Sequence, residues 1–543
     1  MTKFIIITGG VLSGLGKGIV TSSLGKLLKS KGLSVTAIKV DPYLNCDAGT
    51  MNPFEHGEVF VLRDGTEVDL DLGNYERFLD IDLCGDDNIT TGKVYRSVIE
   101  KERSGDYLGK TVQIIPHITD EINRRIWKVA DDTGADIVLV EMGGTVGDIE
   151  SAPFLEASRQ LHMEVGENSK NCLFIHTTLV PVMDVVGEQK TKPTQHSVKE
   201  LRASGLEPHI IVGRSKDRLE KGTKKKISMF CDVPQEAVVS SPTADNIYQV
   251  PLILDEEGLT DYVMTEMELY NEIEERGLEG SGMEDWKEFL KNYEKPTSEI
   301  SMALVGKYCD LEDSYVSHEE ALNHCRSAVK TKINIRYIES EELESEHAAK
   351  ELLGGLDGIL IPGGFGTRGI EGKINAVRYA RENKVPILSI CLGFQVSVIE
   401  FGRHVLGYDD ANSSEFEPKT KNPVIDLLPM QRGIDKMGGT MRLGAEKVII
   451  TEGTKAHDIY GATEIEERHR HRYEVNLDYK EEYEENGMTF SATSANGLRM
   501  EILEIPDHPF FVGSQFHPEF QSRPMKPAPL FLAFVKAMLE QKK

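Results

Sequence analysis

Residues 4–18, FIIITGGVLSGLGKG, are an apolar run that ends in a glycine-rich turn, and the helical pattern IVTSSLGKLLKSKG follows. A strand that enters such a turn and opens a helix directs backbone N–H groups and the positive end of the helix at an anion. Lys17 stands at the start of the predicted helix, where its ammonium group can reach phosphate oxygens. The stretch therefore predicts a phosphate-binding site at the edge of a parallel α/β sheet.

The turn is a variant of the P-loop pattern GxxxxGK[ST], because Gly18 follows Lys17 and leaves no hydroxyl there for a magnesium ion. The alternative is a glycine-rich turn that binds no ligand. A metal–phosphate site also needs hard oxygen ligands from elsewhere in the chain. Two carboxylates are candidates for holding Mg²⁺: Asp71, at the end of a predicted hairpin, and Glu141, at the carboxyl end of the predicted strand 137–140.

Short apolar runs alternate with helical patterns along the chain, which is typical of a parallel sheet covered by helices. The predicted strands are Phe4–Thr8, Ser34–Val40, Ile137–Val140, Cys172–His176, His209–Val212, Met302–Gly306, Ile333–Ile338, Gly358–Ile361 and Ile387–Ile390. Val59–Arg63 and Thr66–Asp71 are predicted to form a β-hairpin, since Asp64–Gly65 suits the positive φ angles of a tight primed turn.

A length of 543 residues suits two large domains. We expect an α/β fold with two doubly wound domains, residues 1–266 and 300–543. Residues 267–299 are strongly charged and broken by glycines, and we predict that they form a partly helical linker.

The net charge of −27 argues against a non-specific nucleic-acid binder, which needs a continuous basic surface. The seven cysteines are scattered and form no CxxC pair, which fits neither a disulfide framework nor a zinc knuckle and favours a reducing cytoplasm. No apolar stretch approaches the ~20 residues that a membrane helix needs. We expect a cytoplasmic protein that binds neither nucleic acid nor membrane.

A second reactive site is predicted at VPILSICLGFQ (residues 385–395). The pattern is that of a strand, a sharp turn and a helix, and the turn would expose the Cys391 sulfur beside a helix N-terminus that favours the thiolate. The backbone N–H of Leu392 could donate to an oxyanion, as could an N–H near Gly364 in a second glycine turn.

The base for this cysteine is predicted in QFHPEF (residues 515–520). His517 could deprotonate Cys391, and Glu519 could orient the imidazole. A lone buried cysteine is more often structural, but the elbow, the second glycine turn and the His-x-Glu pattern together favour catalysis. In ERHRHRY (residues 467–473) a strand would place two histidines on one face and three arginines on the other. We predict that the arginines bind a ligand carboxylate.

These segments resemble one enzyme family, the CTP synthases, over essentially the whole chain. GGVLSGLGKG, DPYLN, EHGEVFVLRDGTEVDLDLG, GGTVGDIES and GEQKTKPTQHS are similar to its synthetase domain, and PGGFG, SICLGFQ, GGTMRLG, ERHRHRYEVN and QFHPEF to its class I glutamine amidotransferase domain. The resemblance implies that ATP phosphorylates the 4-oxygen of UTP and that ammonia then displaces the phosphate to give CTP. Cys391 would release the ammonia from glutamine through a thioester.

The resemblance also implies site residues. Triphosphates would be held by Ser13, Gly14, Leu15, Gly16, Lys17, Gly18, Ile19 and Lys39, with Mg²⁺ on Asp71 and Glu141. UTP or CTP would contact Ser13, Asp148, Ile149, Glu150, Lys190, Thr191, Lys192, Pro193, Thr194, Gln195 and Lys226. Glutamine would be bound by Gly364, Leu392, Gly393, Phe394, Gln395, Glu415 and Arg472.

Further implications of the resemblance are a homotetramer with nucleotide sites at subunit interfaces, activation by GTP, inhibition by CTP, internal transfer of ammonia and no organic prosthetic group. Two features depart from the family pattern. Ser389 replaces the usual glycine of the elbow, and the loop Gln431–Met437, which bears on GTP activation, is short. Alternatives are another P-loop amidoligase with a fused glutaminase, such as a cobyrinate amidase, and a non-enzymatic P-loop switch that polymerises on ATP. TKPTQHS argues against the first, and the Cys–His–Glu set against the second.

Overall fold

The computed structural model describes residues 2–49, 51, 57–166, 169–183, 187–309, 314–427 and 441–542. The chain divides into two compact units, each assembled from two segments. The N-terminal unit comprises Met1–Thr50 and Leu70–Asp285, and the C-terminal unit comprises Met51–Asp69 and Trp286–Lys543. The predicted hairpin region thus belongs to the C-terminal unit, although its neighbours in sequence on both sides belong to the other. The loop Gln431–Met437 lies outside the described residues.

The N-terminal unit is built on a parallel seven-stranded sheet, as its alternating pattern predicts. Its strands lie in the order Val238–Pro242, Ile210–Ser215, Cys172–Leu179, Lys3–Gly9, Ile137–Met142, Val35–Asp41 and Asn88–Thr90. The helices are Lys17–Ser30, Leu70–Leu79, Thr91–Ser104, Thr119–Thr133, Ala152–Glu164, Lys192–Ala203, Lys221–Cys231, Val250–Glu256, Leu259–Glu266 and Leu269–Arg276. Every residue of the central strand Lys3–Gly9 is buried, because helices cover both faces of the sheet.

The C-terminal unit contains a nine-stranded mixed sheet. The order is Thr331–Glu339, Ser298–Gly306, Gly358–Ile361, Ile387–Ile390, Phe511–Ser514, Met500–Glu504, Thr489–Ser494, Arg442–Ile450 and Glu464–His471. The first five strands pair in parallel, and the remaining pairings are antiparallel. The helices are Glu284–Glu294, Val316–Ala328, Glu346–Leu353, Ile370–Asn383, Leu392–His404, Lys455–Tyr460, Lys480–Glu485 and Pro529–Gln541. Smaller strand pairs complete both units.

Alternate residues of the strand Ser298–Gly306 enter different cores. Met302 and Leu304 belong to one buried cluster, and Ala303 and Val305 to another. Because neighbouring side chains of a strand point to opposite faces, the sheet has an apolar core on each side. The predicted doubly wound α/β fold is confirmed.

The hairpin Phe60–Val61/Glu67–Val68 forms, but two details of its prediction are wrong. Of the two turn residues only Gly65 has a positive φ, 87°, and Leu62 exchanges hydrogen bonds with Gly65 and Thr66. This is a longer loop with one left-handed glycine rather than a two-residue primed turn. Asp71 does not end the second strand but lies in the first turn of the helix Leu70–Leu79, because the strand stops at Val68.

The segment 267–299 contains two helices, Leu269–Arg276 and Glu284–Glu294. Leu269, on the helix Leu269–Arg276, is buried in the N-terminal unit. Trp286, Phe289 and Leu290, on the helix Glu284–Glu294, are buried in the C-terminal unit. The charged residues of this region therefore form the solvated faces of two amphipathic helices.

Candidate active sites

The glycine-rich turn adopts the conformation that a phosphate loop needs. Gly14 and Gly16 have positive φ angles, and Gly16 caps the helix Lys17–Ser30. Val11 also has a positive φ, 81°, which is strained for a β-branched residue and is typical of a functional loop. A Cβ at Gly9 would lie 2.7 Å from Lys17 Nζ, so a glycine there leaves room for the lysine to cross the turn.

Lys17 is held inside this site. Its Nζ donates to the backbone oxygen of Gly144 at 2.9 Å, and the side chain is mostly buried. Burial lowers the pKa of Lys17, although the nearby charge of Glu141 opposes the shift. A partly dehydrated ammonium group beside a glycine turn is suited to receive an anion.

The two predicted metal ligands converge on one lysine. Lys39 Nζ contacts Asp71 Oδ2 and donates to Glu141 Oε1 at 2.9 Å, while the hydroxyl of Tyr75 donates to Glu141 Oε2. Burial lowers the pKa of Lys39, but the charges of Asp71 and Glu141 outweigh it and hold that pKa well above its usual value. Burial raises the pKa of Glu141. The single charge of Lys39 therefore offsets part of the charge of the two carboxylates.

The donor set at this point fits Mg²⁺. Asp71 also approaches the residue that follows Lys17, because a Cβ at Gly18 would lie 2.1 Å from Asp71 Oδ1. Two carboxylates beside a phosphate-binding turn are a usual protein contribution to magnesium, which takes its other ligands from phosphate and water. Among the described residues, no group of three or more His, Cys, Asp or Glu side chains is placed to hold a metal ion.

A cavity of about 470 Å³ opens next to the glycine-rich turn. Its lining residues are Val11, Thr145, Val146, Lys192, Pro193, His196, Ser197 and Glu200. Two residues of the predicted UTP segment, Lys192 and Pro193, thus come together with the turn and with the loop after Glu141. The sequence analysis missed His196, Ser197 and Glu200. His196 and Ser197 follow Lys192 and Pro193 by four residues each, and Glu200 follows His196 by four, so this helical spacing is the signal that could have found them.

Other residues of the predicted nucleotide set lie outside that cavity. Lys190 is partly buried and pairs with Glu188 at 2.6 Å, and Lys226 is exposed on the helix Lys221–Cys231. Asp148 Oδ2 accepts a hydrogen bond from Thr145 N at 2.9 Å, which fixes the loop, whereas Ile149 and Glu150 point to solvent. Gln195 Nε2 donates to Thr191 Oγ1 at 2.9 Å.

In the C-terminal unit, Cys391 lies on a sharp elbow. It has φ 53° and ψ −100° between the strand Ile387–Ile390 and the helix Leu392–His404. A non-glycine residue in this region is strained, and such strain holds a nucleophile at the top of a sheet. Its Sγ lies 3.7 Å from the backbone oxygen of Arg470. Ser389 is accommodated because its Oγ lies 2.9 Å from Ser397 Oγ inside the core.

His517 and Glu519 meet beside this cysteine. Glu519 Oε1 lies 2.6 Å from His517 Nδ1, and both side chains are buried. Burial lowers the pKa of His517, but the charges of Glu519 and Cys391 outweigh it and raise that pKa to about 10. The two negative charges therefore favour the protonated form of His517. Burial raises the pKa of Glu519, but His318 and His517 outweigh it, and the net shift is downward.

The second glycine turn lies against the cysteine and the histidine. A Cβ at Gly363 would lie 3.0 Å from His517 Cε1 and 3.5 Å from Cys391 Cβ. Gly364 lies next to Leu392, whose Cδ2 would be 3.4 Å from a Cβ there. The backbone of Gly364 and the first residue of the helix Leu392–His404 thus approach each other, as an oxyanion site requires.

The predicted glutamine pocket is only partly made of side chains. Gln395 Nε2 donates to Tyr473 O at 2.9 Å and to Gln515 Oε1 at 3.1 Å. Phe394 is fully buried in the apolar core. Glu415 lies near the charges of Lys307 and Arg472, yet burial outweighs them and raises its pKa.

The prediction for the arginine row is wrong for two of its members. Arg468 donates to the backbone oxygen of Val61 at 3.0 Å, and Arg470 Nε donates to Glu67 Oε1 at 2.7 Å. Both arginines thus bind the hairpin instead of a ligand. On the opposite face, His469 lies 2.9 Å from Glu501 Oε2 and His471 lies 2.9 Å from Glu474 Oε1.

Comparison with known proteins matches the two parts of the chain to two different family models. A model of the CTP synthase N-terminus matches residues 3–269, and a model of class-I glutamine amidotransferases matches residues 310–537. CTP synthases of Archaeoglobus fulgidus, Pyrococcus abyssi and Methanosarcina acetivorans are each 57% identical to the chain, over 100% of it and 99% of their own lengths. The chain belongs to the CTP synthase family. The predicted family and enzyme class, a glutamine-hydrolysing ligase, are thereby confirmed.

Two further features of this CTP synthase family member bear on its setting. In the ranges that the structure describes, no helix is both long enough and apolar enough to cross a membrane. All seven cysteines are free thiols.

Proposed function

We propose that the chain converts UTP to CTP with ATP and with ammonia released from glutamine. The observation that carries the proposal is the elbow at Cys391, with His517 and Glu519 beside it, in a chain whose other unit has Lys17 beside a glycine-rich turn. One set of residues suits acyl transfer, and the other suits phosphoryl transfer.

The N-terminal unit would activate UTP. The γ-phosphoryl group of ATP moves to the 4-oxygen of the uracil ring, giving ADP and a phosphorylated ring whose phosphate can leave. Ammonia then adds at carbon 4, phosphate departs, and loss of a proton gives CTP. Lys17 would stabilise charge on the transferred phosphoryl group. Mg²⁺, held by Asp71 and Glu141, would supply charge neutralisation on the phosphates, and Lys39 would move its contacts from these carboxylates to phosphate.

The C-terminal unit would hydrolyse glutamine. The Cys391 thiolate attacks the amide carbon, and the N–H groups of Leu392 and Gly364 receive the oxyanion. His517, whose raised pKa favours its protonated form, donates a proton to the departing nitrogen. Ammonia leaves and a glutamyl thioester remains. His517 then takes a proton from water as the water attacks, which releases glutamate.

The nucleotide contacts are proposals of the same kind. The cavity beside Lys192 and Pro193 supports pyrimidine nucleotide binding there, and the exposed loop at Glu150 supports a contact to the cytosine ring of inhibitory CTP. Activation by GTP, internal transfer of ammonia and assembly as a homotetramer rest on family resemblance. The free thiols support a reducing cytoplasm as the location.

The test is ultraviolet absorbance during UTP amination. We expect CTP to form with ATP and glutamine, or with ATP and an ammonium salt, and not without ATP. Glutamine hydrolysis without any CTP under these conditions would contradict the proposal and leave only a glutaminase.

A further inference from the structure

A buried histidine lies between two carboxylates beside the proposed triad. His318 Nε2 is 3.4 Å from Glu519 Oε1, and His318 Nδ1 is 3.7 Å from Glu58 Oε1. The His318 side chain is only 5% exposed, and neither ring nitrogen has a hydrogen-bond partner among the described residues. A buried imidazole without such a partner needs an explanation, since dehydrating it is unfavourable.

The surroundings fix the ring in place. His318 lies in the first turn of the helix Val316–Ala328, and its ring makes edge contacts with those of Tyr315 and Phe531. The carboxylate of Glu58 is fixed as well, because its Oε2 accepts a hydrogen bond from Ser317 N at 2.7 Å. The imidazole is thus aligned by apolar rings and by a carboxylate that is itself tied to the same helix.

The oxygen that faces His318 is the one that orients His517. Glu519 Oε1 lies 2.6 Å from His517 Nδ1 and 3.4 Å from His318 Nε2, so one atom stands between two imidazoles. If the distance between His318 Nε2 and Glu519 Oε1 shortened slightly, the two atoms would form an N–H···O hydrogen bond. A donor at this point limits the rotation of the Glu519 carboxylate and keeps Oε1 directed at His517.

We propose that His318 is a positioning residue of the glutaminase site, which fixes the Glu519 carboxylate and is itself aligned by Glu58. The inference rests on the proposed roles of Cys391, His517 and Glu519 and deepens them. It also gives Glu58, which precedes the hairpin Phe60–Val61/Glu67–Val68, a role in glutamine hydrolysis through its contact with His318. Groups that act through another residue affect the orientation of the reacting atoms, and misplacement by about 1 Å can lower a rate about a hundredfold.

The test uses two substitutions at His318 in the full chain. Leu fills similar space without a donor, whereas the amide nitrogen of Gln can stand near the position of Nε2. We expect His318→Leu to lower kcat for glutamine hydrolysis about tenfold to a hundredfold with little change in KM. His318→Gln should recover most of that loss. CTP synthesis from ammonium salt should stay near the wild-type rate in both variants.

Further variants separate positioning from packing. Glu58→Gln should give a smaller loss, and the double variant should be no slower than His318→Leu alone, since both act through one contact. His324→Gln is the matched control, because this buried histidine lies on the same helix and its Nδ1 is 2.8 Å from Ser522 Oγ. Its glutamine kcat should be unchanged.

Each contrary result has its own meaning. Wild-type glutamine kcat in His318→Leu, or equal losses in the Leu and Gln variants, would overturn the positioning role. Glutamine hydrolysis that survives Cys391→Ala would instead overturn the proposed triad, whatever the His318 variants do.

Discussion

Arg470 Nε donates to Glu67 Oε1 at 2.7 Å, and the backbone oxygen of the same arginine lies 3.7 Å from the sulfur of Cys391. The hairpin therefore binds the strand that borders the nucleophile. This ion pair is largely buried, with the two side chains 18% and 14% exposed. Buried charge-assisted hydrogen bonds are stronger than exposed ones, so we expect the pair to matter for the local geometry.

The first prediction is that Arg470→Leu lowers kcat/KM for glutamine about tenfold, which corresponds to a loss of about 1.4 kcal/mol and lies in the range of a charged hydrogen bond. Glutaminase assays with and without the substitution check it. The control is Lys447→Ala, which breaks an exposed ion pair with Glu464. Exposed pairs contribute little, so this control should match wild type. Equal effects in the two variants would contradict the role given to the hairpin.

The second prediction separates the two sites. Cys391→Ala should lose glutamine-dependent CTP synthesis by several orders of magnitude, because no other group can form the thioester. The same variant should keep most of its rate with ammonium salt at a pH that supplies free NH₃. His517→Ala should behave similarly, and Glu519→Ala more mildly, because orienting a base matters less than losing it. The ratio of ammonia-driven to glutamine-driven rates is the measurement, and collapse of both rates in a folded variant would refute the separation.

The third prediction concerns pH. The charge of Glu519 helps raise the pKa of His517 to about 10, so its removal in Glu519→Gln should lower that pKa. Glutaminase activity that needs protonated His517 should then decline at lower pH than in wild type. Because the pKa of His517 is higher in the folded protein than its unfolded value near 6.5, its protonation stabilises the fold. This contribution to the free energy of unfolding is complete below about pH 6.5 and is lost as the pH rises through about 10. An alkaline limb of kcat/KM that stays in place would argue against His517 as the proton donor.

The fourth prediction concerns phosphoryl transfer. Lys17→Ala should lower CTP formation about 10²–10³-fold with either glutamine or ammonium salt, since one preorganised charge contact is lost in the activation step. Glutamine hydrolysis in the other unit should persist. Lys31→Ala, at the far end of the same helix, serves as the control and should keep its activity. Normal turnover of Lys17→Ala with ammonia would remove Lys17 from the site.

Local patterns were sufficient to predict the strand Lys3–Gly9 and the elbow at Cys391, because each depends on residues that are adjacent in sequence. Asp71 was predicted at the end of a strand but lies in the following helix, because the sequence pattern does not show where the short strand Glu67–Val68 ends. The ion pair of Arg470 and the contacts of His318 could not be predicted from the sequence. Their partners, Glu67 and Glu519, are distant along the chain, and only the folded unit brings them together.

The last prediction tests how closely the second glycine turn approaches the catalytic side chains. A Cβ at Gly363 would stand 3.0 Å from His517 Cε1, which is closer than a carbon–carbon contact allows, so the imidazole would have to shift by a few tenths of an ångström. Gly363 does not need a positive φ, and Gly363→Ala therefore changes the space without straining the backbone. We expect a glutaminase kcat about tenfold lower, because the shift misaligns His517 with Cys391. Gly364→Ala adds a Cβ at an ordinary 3.4 Å from Leu392 Cδ2 and should cause a smaller loss. Steady-state glutaminase kinetics of both variants decide the matter, with ammonia-dependent synthesis as the internal control. A larger loss at Gly364 than at Gly363 would mean that the backbone at Gly364, rather than the space beside His517, limits the reaction.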